Sequence, residues 1–266
     1  MSASEKVLVV INPNRDSQPA LERVAQMSRQ AESQQESEYV FLVLANLEYV
    51  NREQDRCTVT QDVNWLVSIN SQIDALNVKS QVLISWSSDW AQTLVDTIDE
   101  MGITFCVVPF YDKARSKLLS DERWQLLRKS KVAVLLAMDN HSYSGNKVLA
   151  TLKSQDSDYD SRNAGVLEVA NTMVQMFGSE IHVANAYADS MEFPDRAALA
   201  KTAATDTDKV HIKVGNPEDV ICDVATEQDI DLVLIASQRR QGLKGRLRGN
   251  TVEKIVGKLE CDIMMI

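Results

Sequence analysis

The sequence is poor in the residues that build metal centres and disulfide frameworks. It has three histidines and four cysteines in 266 residues, and it shows neither a CxxC pair nor a Cys/His ligand spacing. We therefore expect buried, reduced thiols and no structural metal. No apolar run approaches the length of about 18 residues that a membrane span needs. The start, MSASEKVLVV, lacks a basic region followed by an apolar one, so we expect no signal peptide, no membrane partner and a cytoplasmic location.

Positive charge is also scarce. The chain has 38 acidic and 28 basic residues and a formal net charge of −10. Binding to nucleic acid needs a broad basic face, so nucleic acid is an unfavoured partner. Hydrophobic residues at 44% and charged residues at 25% are typical of a soluble globular protein. His182 and His211 lie inside strand-like runs, which favours structural roles over catalysis.

Short apolar runs alternate with helical patterns along the whole chain. This alternation predicts parallel strands that helices cover on both faces. The predicted strands of the first half are residues 6–12, 39–45, 81–86, 104–110 and 131–138. The predicted strands of the second half are residues 147–153, 180–187, 209–215, 231–237 and 261–266.

The two halves repeat each other. The segment that starts at Asp89 aligns without gaps with the segment that starts at Asn216, so that helix falls on helix and strand on strand. Between the halves lies the polar stretch DNHSYSGN, residues 139–146, which we interpret as a linker. The fold class is therefore α/β, with two tandem doubly wound, Rossmann-like domains at residues 1–138 and 147–266. We expect the two apolar last strands to pair edge to edge, which would cover both edges.

One stretch of the acidic chain is basic and rich in glycine. SQRRQGLKGRLRGNTVEK, residues 237–254, holds three of the nine glycines and follows a predicted strand. Asn250 can cap the next helix and Glu253 stands three residues later, as in a capping box. Free amides at such a helix start favour a phosphate-binding turn, with Gly242 and Gly245 letting the backbone approach. A solvated basic loop remains the alternative, because this Gly-x-x-Gly pair alone is a weak motif.

Other candidate sites find less support. The corresponding segment of the first half, residues 109–122, has no glycine, and we expect no phosphate site there. The acids of SQDSDYDSR, residues 154–162, favour a solvated turn over a metal site. The segments after the two first strands, NPNRDS and KSQDSD, hold no glycine-rich phosphate loop. No Ser/His/Asp or Cys/His set is apparent, so an ATP-cleaving enzyme is the unfavoured alternative.

Several stretches resemble the universal stress protein family, and in particular its tandem, E-type branch. The resemblance rests on VLVVINPNRDSQPALERVAQM, GNPEDVICDVATEQDIDLVLIAS and GNTVEKIVGKLECDIMMI. It implies five-stranded sheets of order 3-2-1-4-5 that pair through their last strands. It also implies ATP binding through Gly-x2-Gly-x9-Gly-(Ser/Thr) after the fourth strand. The positions that carry this motif here, with the displaced glycines, are Ala236, Arg239, Gly242, Gly245, Gly249, Asn250 and Thr251.

The chain departs from the family pattern at several of these positions. Only Gly249 keeps a motif glycine, and Asn250 takes the place of the hydroxyl residue. The family's acid near the base and ribose falls on Leu152, and in the first half on Asn12. The resemblance therefore implies a non-catalytic cytoplasmic stress-response protein with ATP or another phosphate ligand in the second half. The alternative is a ligand-free interaction module, with the first half as a built-in partner, and further homodimerisation stays open.

Overall fold

The structure is a computed structural model, and it describes residues 5–30, 37–45, 63–111, 121–139, 144–155, 157–189, 191, 193–236 and 251–266. These residues form two compact units. The first unit ends at Asp139, and the second begins at Ser144.

The first unit alternates strands and helices. Its strands are β1 (Lys6–Ile11), β2 (Glu38–Leu44), β3 (Lys79–Ser85), β4 (Phe105–Phe110) and β5 (Ala133–Met138). Its helices are α1 (Pro19–Gln30), α2 (Val63–Asp74), α3 (Trp90–Met101) and α4 (Asp121–Lys129).

The second unit repeats this alternation. Its strands are β6 (Lys147–Thr151), β7 (Glu180–Tyr187), β8 (Val210–Val214), β9 (Leu232–Ile235) and β10 (Asp262–Met265). Its helices are α5 (Asp160–Phe177), α6 (Arg196–Thr202), α7 (Pro217–Glu227) and α8 (Thr251–Lys258). Short 3₁₀ turns, Ser157–Tyr159 and Thr207–Lys209, precede α5 and β8.

Each unit has a parallel sheet with the strand order that the resemblance implied. The order is β3-β2-β1-β4-β5 in the first unit and β8-β7-β6-β9-β10 in the second. All pairings inside the units are parallel. The order 3-2-1-4-5 and the tandem doubly wound architecture are thus confirmed. The pairing of the two last strands stays a prediction.

Both faces of the central strands are covered. Residues Val7–Ile11 are consecutively buried, which happens only when side chains on both faces of β1 meet other elements. The internal repeat is confirmed by burial as well as by topology. Leu94 on α3 and Ile221 on α7 are buried at equivalent positions, and so are Val107 on β4 and Leu234 on β9.

Two local features differ from the sequence-based expectation. From its place in the sequence Ser17 can cap the first helix, but the structure has the Ser17 hydroxyl donating to Asp139 Oδ1, and α1 begins at Pro19. In the second unit, α6 forms inside residues 188–208, which the sequence pattern left open. Asp195 caps α6, because its carboxylate accepts the amides of Ala197 and Ala198.

The start of the second unit is fixed by one buried carboxylate. Asp231 accepts hydrogen bonds from the backbone amides of Ser144, Asn146 and Lys147, and from the Ser144 hydroxyl, at 2.8–3.0 Å. Ser144 was assigned to the predicted linker, yet it is bound to the second unit through this carboxylate.

Across the residues whose structure is described, no helix combines the length and the apolar character that crossing a bilayer requires.

Candidate functional site

The carboxyl edge of the second sheet is the candidate site. Parallel sheets of this kind bind ligands beyond the carboxyl ends of the strands, where the strand order reverses. In this unit the order reverses between β6 and β9. Thr151, the last residue of β6, donates its hydroxyl to the carbonyl of Leu234 on β9 at 2.8 Å. The two strands are therefore held together at the reversal point by a side chain as well as by the sheet.

The structure brings together two of the predicted site positions here and places a third at a helix start. Leu152 follows β6 and Ala236 follows β9, so both lie at the reversal point. Thr251 is the first residue of α8. Leu152 is buried and apolar, so it offers a ligand no carboxylate. The other positions, Arg239, Gly242, Gly245, Gly249 and Asn250, lie outside the described residues, and their roles stay predictions.

A cluster of amide side chains fills the edge beside Leu152. Asn185 on β7 is fully buried and donates to the Leu152 carbonyl at 3.1 Å and to the Ser154 hydroxyl at 3.0 Å. Gln155 donates through Nε2 to Asn185 Oδ1 at 2.6 Å and to the Ala186 carbonyl at 3.3 Å. Gln155 Oε1 is buried and meets no donor in the described part of the chain. The ends of β6 and β7 are thus occupied by the protein's own amides.

Two cations lie near the carboxyl end of β6: Lys153 in the turn after the strand and Arg162 in the first turn of α5. Lys153 Nζ lies 4.2 Å from the centre of the Tyr159 ring, and the Arg162 guanidinium lies 4.7 Å from it. Asn163 fixes the turn, because it accepts from the Lys153 amide and donates to the Lys153 carbonyl. Residues 153–162, which include the acidic run SQDSDYDSR, therefore also place positive charge near the carboxyl edge of the sheet. No group of three His, Cys, Asp or Glu side chains suited to a metal occurs in the part of the chain that is described.

The start of α8 is anchored to α7. Lys254 donates to Glu218 Oε1 at 2.7 Å, and Lys258 contacts Asp219 one turn further on. The hydrogen bond from Lys254 holds the pKa of Glu218 below its ordinary value, although burial acts in the opposite direction. Ile255 and Val256 are buried underneath. Both helices follow strands of the parallel sheet, so their amino ends, with free backbone amides, lie at its carboxyl edge.

One glycine shapes the entry to α7. Gly215, directly after β8, has a φ of 142°, and its amide donates to the Tyr187 carbonyl at 3.0 Å. A side chain at this position would be strained, and its Cβ would lie 3.4 Å from the Val220 side chain. The turn thus helps to set where α7 begins, and Lys254 links the first turn of α8 to that helix.

At the equivalent edge of the first unit, the loop after β1 is bonded back to the end of its own strand. Asn12 follows β1 and is fully buried. Its backbone N–H donates to Gln18 Oε1 at 3.1 Å. Gln18 returns two hydrogen bonds, to the carbonyls of Asn12 and Arg15, each at 2.8 Å. The Arg15 guanidinium lies 5.1 Å from the Tyr111 ring centre. The loop that follows β1 is therefore folded over the end of its own strand.

Sequence reasoning missed the residues that define the second edge. Asn185 sits in an apolar strand pattern, and its partner Gln155 lies thirty positions earlier. The signal that could have found Asn185 was a lone amide inside a strand expected to be buried, since such a group needs partners. The ion pairs between α8 and α7 could not be predicted from the sequence, because they depend on which helices pack side by side in the tertiary structure.

The comparisons with known proteins cover the whole chain. The chain is 24% identical over 301 residues to a universal stress protein E homolog of Haemophilus influenzae, covering 98% of this chain and 97% of that protein. It is 22% identical over 302 residues to universal stress protein E of Escherichia coli K12, covering 100% and 95%.

Solved structures share the fold. A Pseudomonas aeruginosa protein superposes with a TM-score of 0.79 at 21% identity, over 99% of this chain and 92% of that one. A universal stress protein of Archaeoglobus fulgidus superposes with a TM-score of 0.72 at 16% identity, over 98% and 96%. The sequence signature of the universal stress protein family matches residues 133–266, just over half of the chain. With this signature over just over half of its residues and relatives along its full length, the chain belongs to the universal stress protein family.

Proposed function

We propose that this chain is a non-catalytic stress-response protein whose second unit binds a phosphate-bearing ligand, with ATP as the first candidate. Family membership supports the stress-response role. The observation that carries the ligand proposal is the position of α8. Since α8 follows β9, its amino end lies on the side of the carboxyl edge of the sheet, and in the sequence it directly follows the basic, glycine-rich segment 237–250.

The charges of the described edge favour an anion. Lys153 and Arg162 lie at the turn after β6, and the free amides of α8 contribute a partial positive charge. Leu152 replaces the acid that the family resemblance places near the ribose. The phosphates therefore supply most of the binding energy in this proposal, and the sugar contributes little.

The amide cluster bears on how selective the site is. Gln155 already occupies the Ala186 carbonyl and the Asn185 oxygen, so a base that approached the end of β7 would have to displace it. We infer that the wild-type protein discriminates weakly between nucleotides of different base. A polyphosphate without a base is then bound nearly as well as ATP.

The absence of catalysis is part of the proposal. Burial raises the pKa of the Cys106 thiol to about 12, which keeps it protonated and unreactive. His182 and His211 contact each other on β7 and β8, in the sheet, and neither follows the end of a strand. Both features argue against an acyl- or phosphoryl-transfer centre built on these groups.

A ligand-free interaction module of the same family is the second candidate. Two observations favour it: the buried Leu152 in place of an acid, and the loop of the first unit that is bonded back to the end of β1. In that case the edge of the second unit would serve only to shape the surface that a protein partner meets.

A thermal and urea titration separates the candidates. The protein is unfolded with ATP, ADP, cyclic AMP, tripolyphosphate or inorganic phosphate present. A ligand at one hundred times its dissociation constant adds about 2.7 kcal/mol to the free energy of unfolding. Arg239→Ala and Gly249→Val should reduce this increment, whereas Arg115→Ala, in the corresponding segment of the first half, should leave it unchanged.

Three outcomes would count against the proposal. No stabilisation by any of these compounds would leave the interaction module. Stabilisation that ignores both Arg239→Ala and Gly249→Val would place the ligand elsewhere. Steady release of phosphate from ATP, lost in the same variants, would show an enzyme.

A further inference from the structure

Two histidines on neighbouring strands form a direct hydrogen bond. His182 on β7 is 5% exposed, and its Nδ1 lies 3.0 Å from Nε2 of His211 on β8. The rings are nearly parallel, at 4°, with their centres 5.3 Å apart. The other nitrogen of His182, Nε2, lies 2.6 Å from Oε1 of Glu180. The three side chains therefore form a line from carboxylate to imidazole to imidazole.

The hydrogen bonds that join Glu180, His182 and His211 can be kept only while the two rings carry no more than one added proton. Its hydrogen bond to His182 holds the pKa of Glu180 below the ordinary value, so Glu180 is ionised and His182 donates through Nε2. With both rings neutral, His182 Nδ1 accepts from the Nε2–H of His211. One added proton can be shared, because a charged His182 donates in both directions and His211 accepts. A second added proton places two N–H groups face to face, and the hydrogen bond is lost.

Burial and the neighbouring charges disfavour the uptake of a proton by His211. Burial is the main cause that lowers the pKa of His211, followed by the charges of His182, Lys213 on β8 and Arg196 on α6. Glu227 on α7 has the opposite, smaller effect. Lys209 in the 3₁₀ turn bridges Glu180, at 3.2 Å, and Asp206, at 3.3 Å. Three cations and three carboxylates therefore face the pair from β7, β8, α6, α7 and the turn.

The same groups hold a segment of chain against the strands. We call residues 196–209, which comprise α6 and the 3₁₀ turn, the cover segment. Thr205 donates its hydroxyl to the Ile181 carbonyl on β7 at 2.7 Å. Arg196 donates to the carbonyls of Thr207 and Val210. Lys209 reaches Glu180, the carboxylate partner of His182. The cover segment is thus linked to His182 through Lys209 and Glu180, and Arg196 ties it to Val210, the residue before His211.

We propose that the His182–His211 pair is a proton-sensitive latch that holds the cover segment and β8 against β7 at neutral pH and releases them in acid. The sign follows from the proton balance. His211 binds its proton less readily when folded than when unfolded, so the stabilisation is fully present above the ordinary histidine value of about 6.5. It is lost as the pH falls below that value, and Glu180 adds a loss of the same sign at lower pH.

Hydrogen exchange of the full chain tests the latch. Amide exchange is measured at pH 8, 6.5 and 5 and corrected for the intrinsic effect of pH. We expect exchange in the cover segment and β8 to rise at least tenfold between pH 8 and pH 5, while α5 in the same unit changes little. Equal corrected rates at pH 8 and pH 5 would overturn the proposal.

A matched variant isolates the charge. In His211→Gln the side-chain amide can still donate to His182 Nδ1, but it cannot take up a proton. We expect the cover segment to stay protected at pH 5 in this variant. An acid response as large as that of the wild type would refute a role for His211.

Side-chain nitrogen spectra of the wild-type protein provide a readout that needs no variant. The imidazole of His211 should titrate below the ordinary histidine pKa, because it is partly buried and lies beside His182, Lys213 and Arg196. A His211 imidazole that titrates at or above the ordinary histidine pKa would refute the latch even if His211→Gln failed to fold.

Discussion

Lys254 Nζ lies 2.7 Å from Glu218 Oε1, and this contact fixes the first turn of α8 beside the first turn of α7. Glu218 is nearly buried, whereas half of the Lys254 side chain is exposed. The lysine therefore satisfies a carboxylate that burial would otherwise penalise. The contact matters for the candidate site because it determines where the amide-rich end of α8 stands.

Removing the carboxylate should loosen α8. Glu218→Gln should lower the free energy of unfolding at pH 7 by about 1 kcal/mol, since the partner lysine is partly solvated. The folded-state pKa of Glu218 is lowered, so its stabilisation is present above about pH 4.5 and is lost as the pH falls through the folded value. Urea unfolding at pH 7 and pH 3.5 measures the difference. Asp223→Asn, exposed on the same helix, is the control, and an equal effect of both changes would contradict this account.

The start of the second unit depends on Asp231. Asp231→Ala would leave three backbone amides and one hydroxyl without their common acceptor, in a place that is largely buried. We expect a loss of about 3 kcal/mol or more in the free energy of unfolding. Asp229→Asn, exposed and two residues away, has a left-handed backbone that asparagine accepts, and it should change stability by less than about 0.5 kcal/mol. A loss below about 1 kcal/mol in Asp231→Ala would show that water replaces the carboxylate.

The Cys106 thiol should not react with thiol reagents while the protein is folded. It is fully buried on β4, and a pKa of about 12 leaves a thiolate fraction on the order of one in ten thousand at pH 8. In a variant with Cys57, Cys222 and Cys261 changed to serine, a thiol reagent should modify Cys106 only at the rate of global unfolding. Rapid modification of the native protein would show that β4 opens locally. The same variant unfolded in urea provides the reference rate.

Gln155 should limit recognition of a base. Gln155→Ala frees the Ala186 carbonyl and Asn185 Oδ1, which are then available to a donor group of a bound base. Relative to tripolyphosphate, ATP should gain about 1 kcal/mol, or roughly fivefold in affinity. Competition titrations of both ligands measure this ratio. Gln72→Ala on the exposed face of α2 is the control, and an unchanged ratio in Gln155→Ala would place the base elsewhere.

The sequence was sufficient to predict the fold class because the apolar strands are buried on both faces. Continuous apolar runs such as VLVVI and DLVLIAS indicate strands of this kind. The gap-free alignment of two helix–strand segments indicated the duplication. The strand order came from the family resemblance and not from the runs themselves. Burial of Leu94 and Ile221 at equivalent positions shows why the alignment worked, since each half needs the same helix face for its core.

The contacts at the carboxyl edges were harder to foresee. Whether Ser17 caps α1 or bonds to Asp139 depends on a residue 122 positions away. The hydrogen bond between His182 and His211 depends on the register of β7 against β8, which a pattern of alternating residues does not specify. The motif positions between Ala236 and Thr251 remain predictions from the sequence.

If the second unit binds a ligand as proposed, the loop folded over the end of β1 predicts how many ligand molecules one chain holds. The Gln18 side chain, which is hydrogen-bonded to the backbone of Asn12, lies at the end of β1 where a second molecule would enter, so we expect a full chain to bind one ligand molecule. Saturation would then occur at one equivalent, with a hyperbolic dose response and a Hill coefficient of one within the chain.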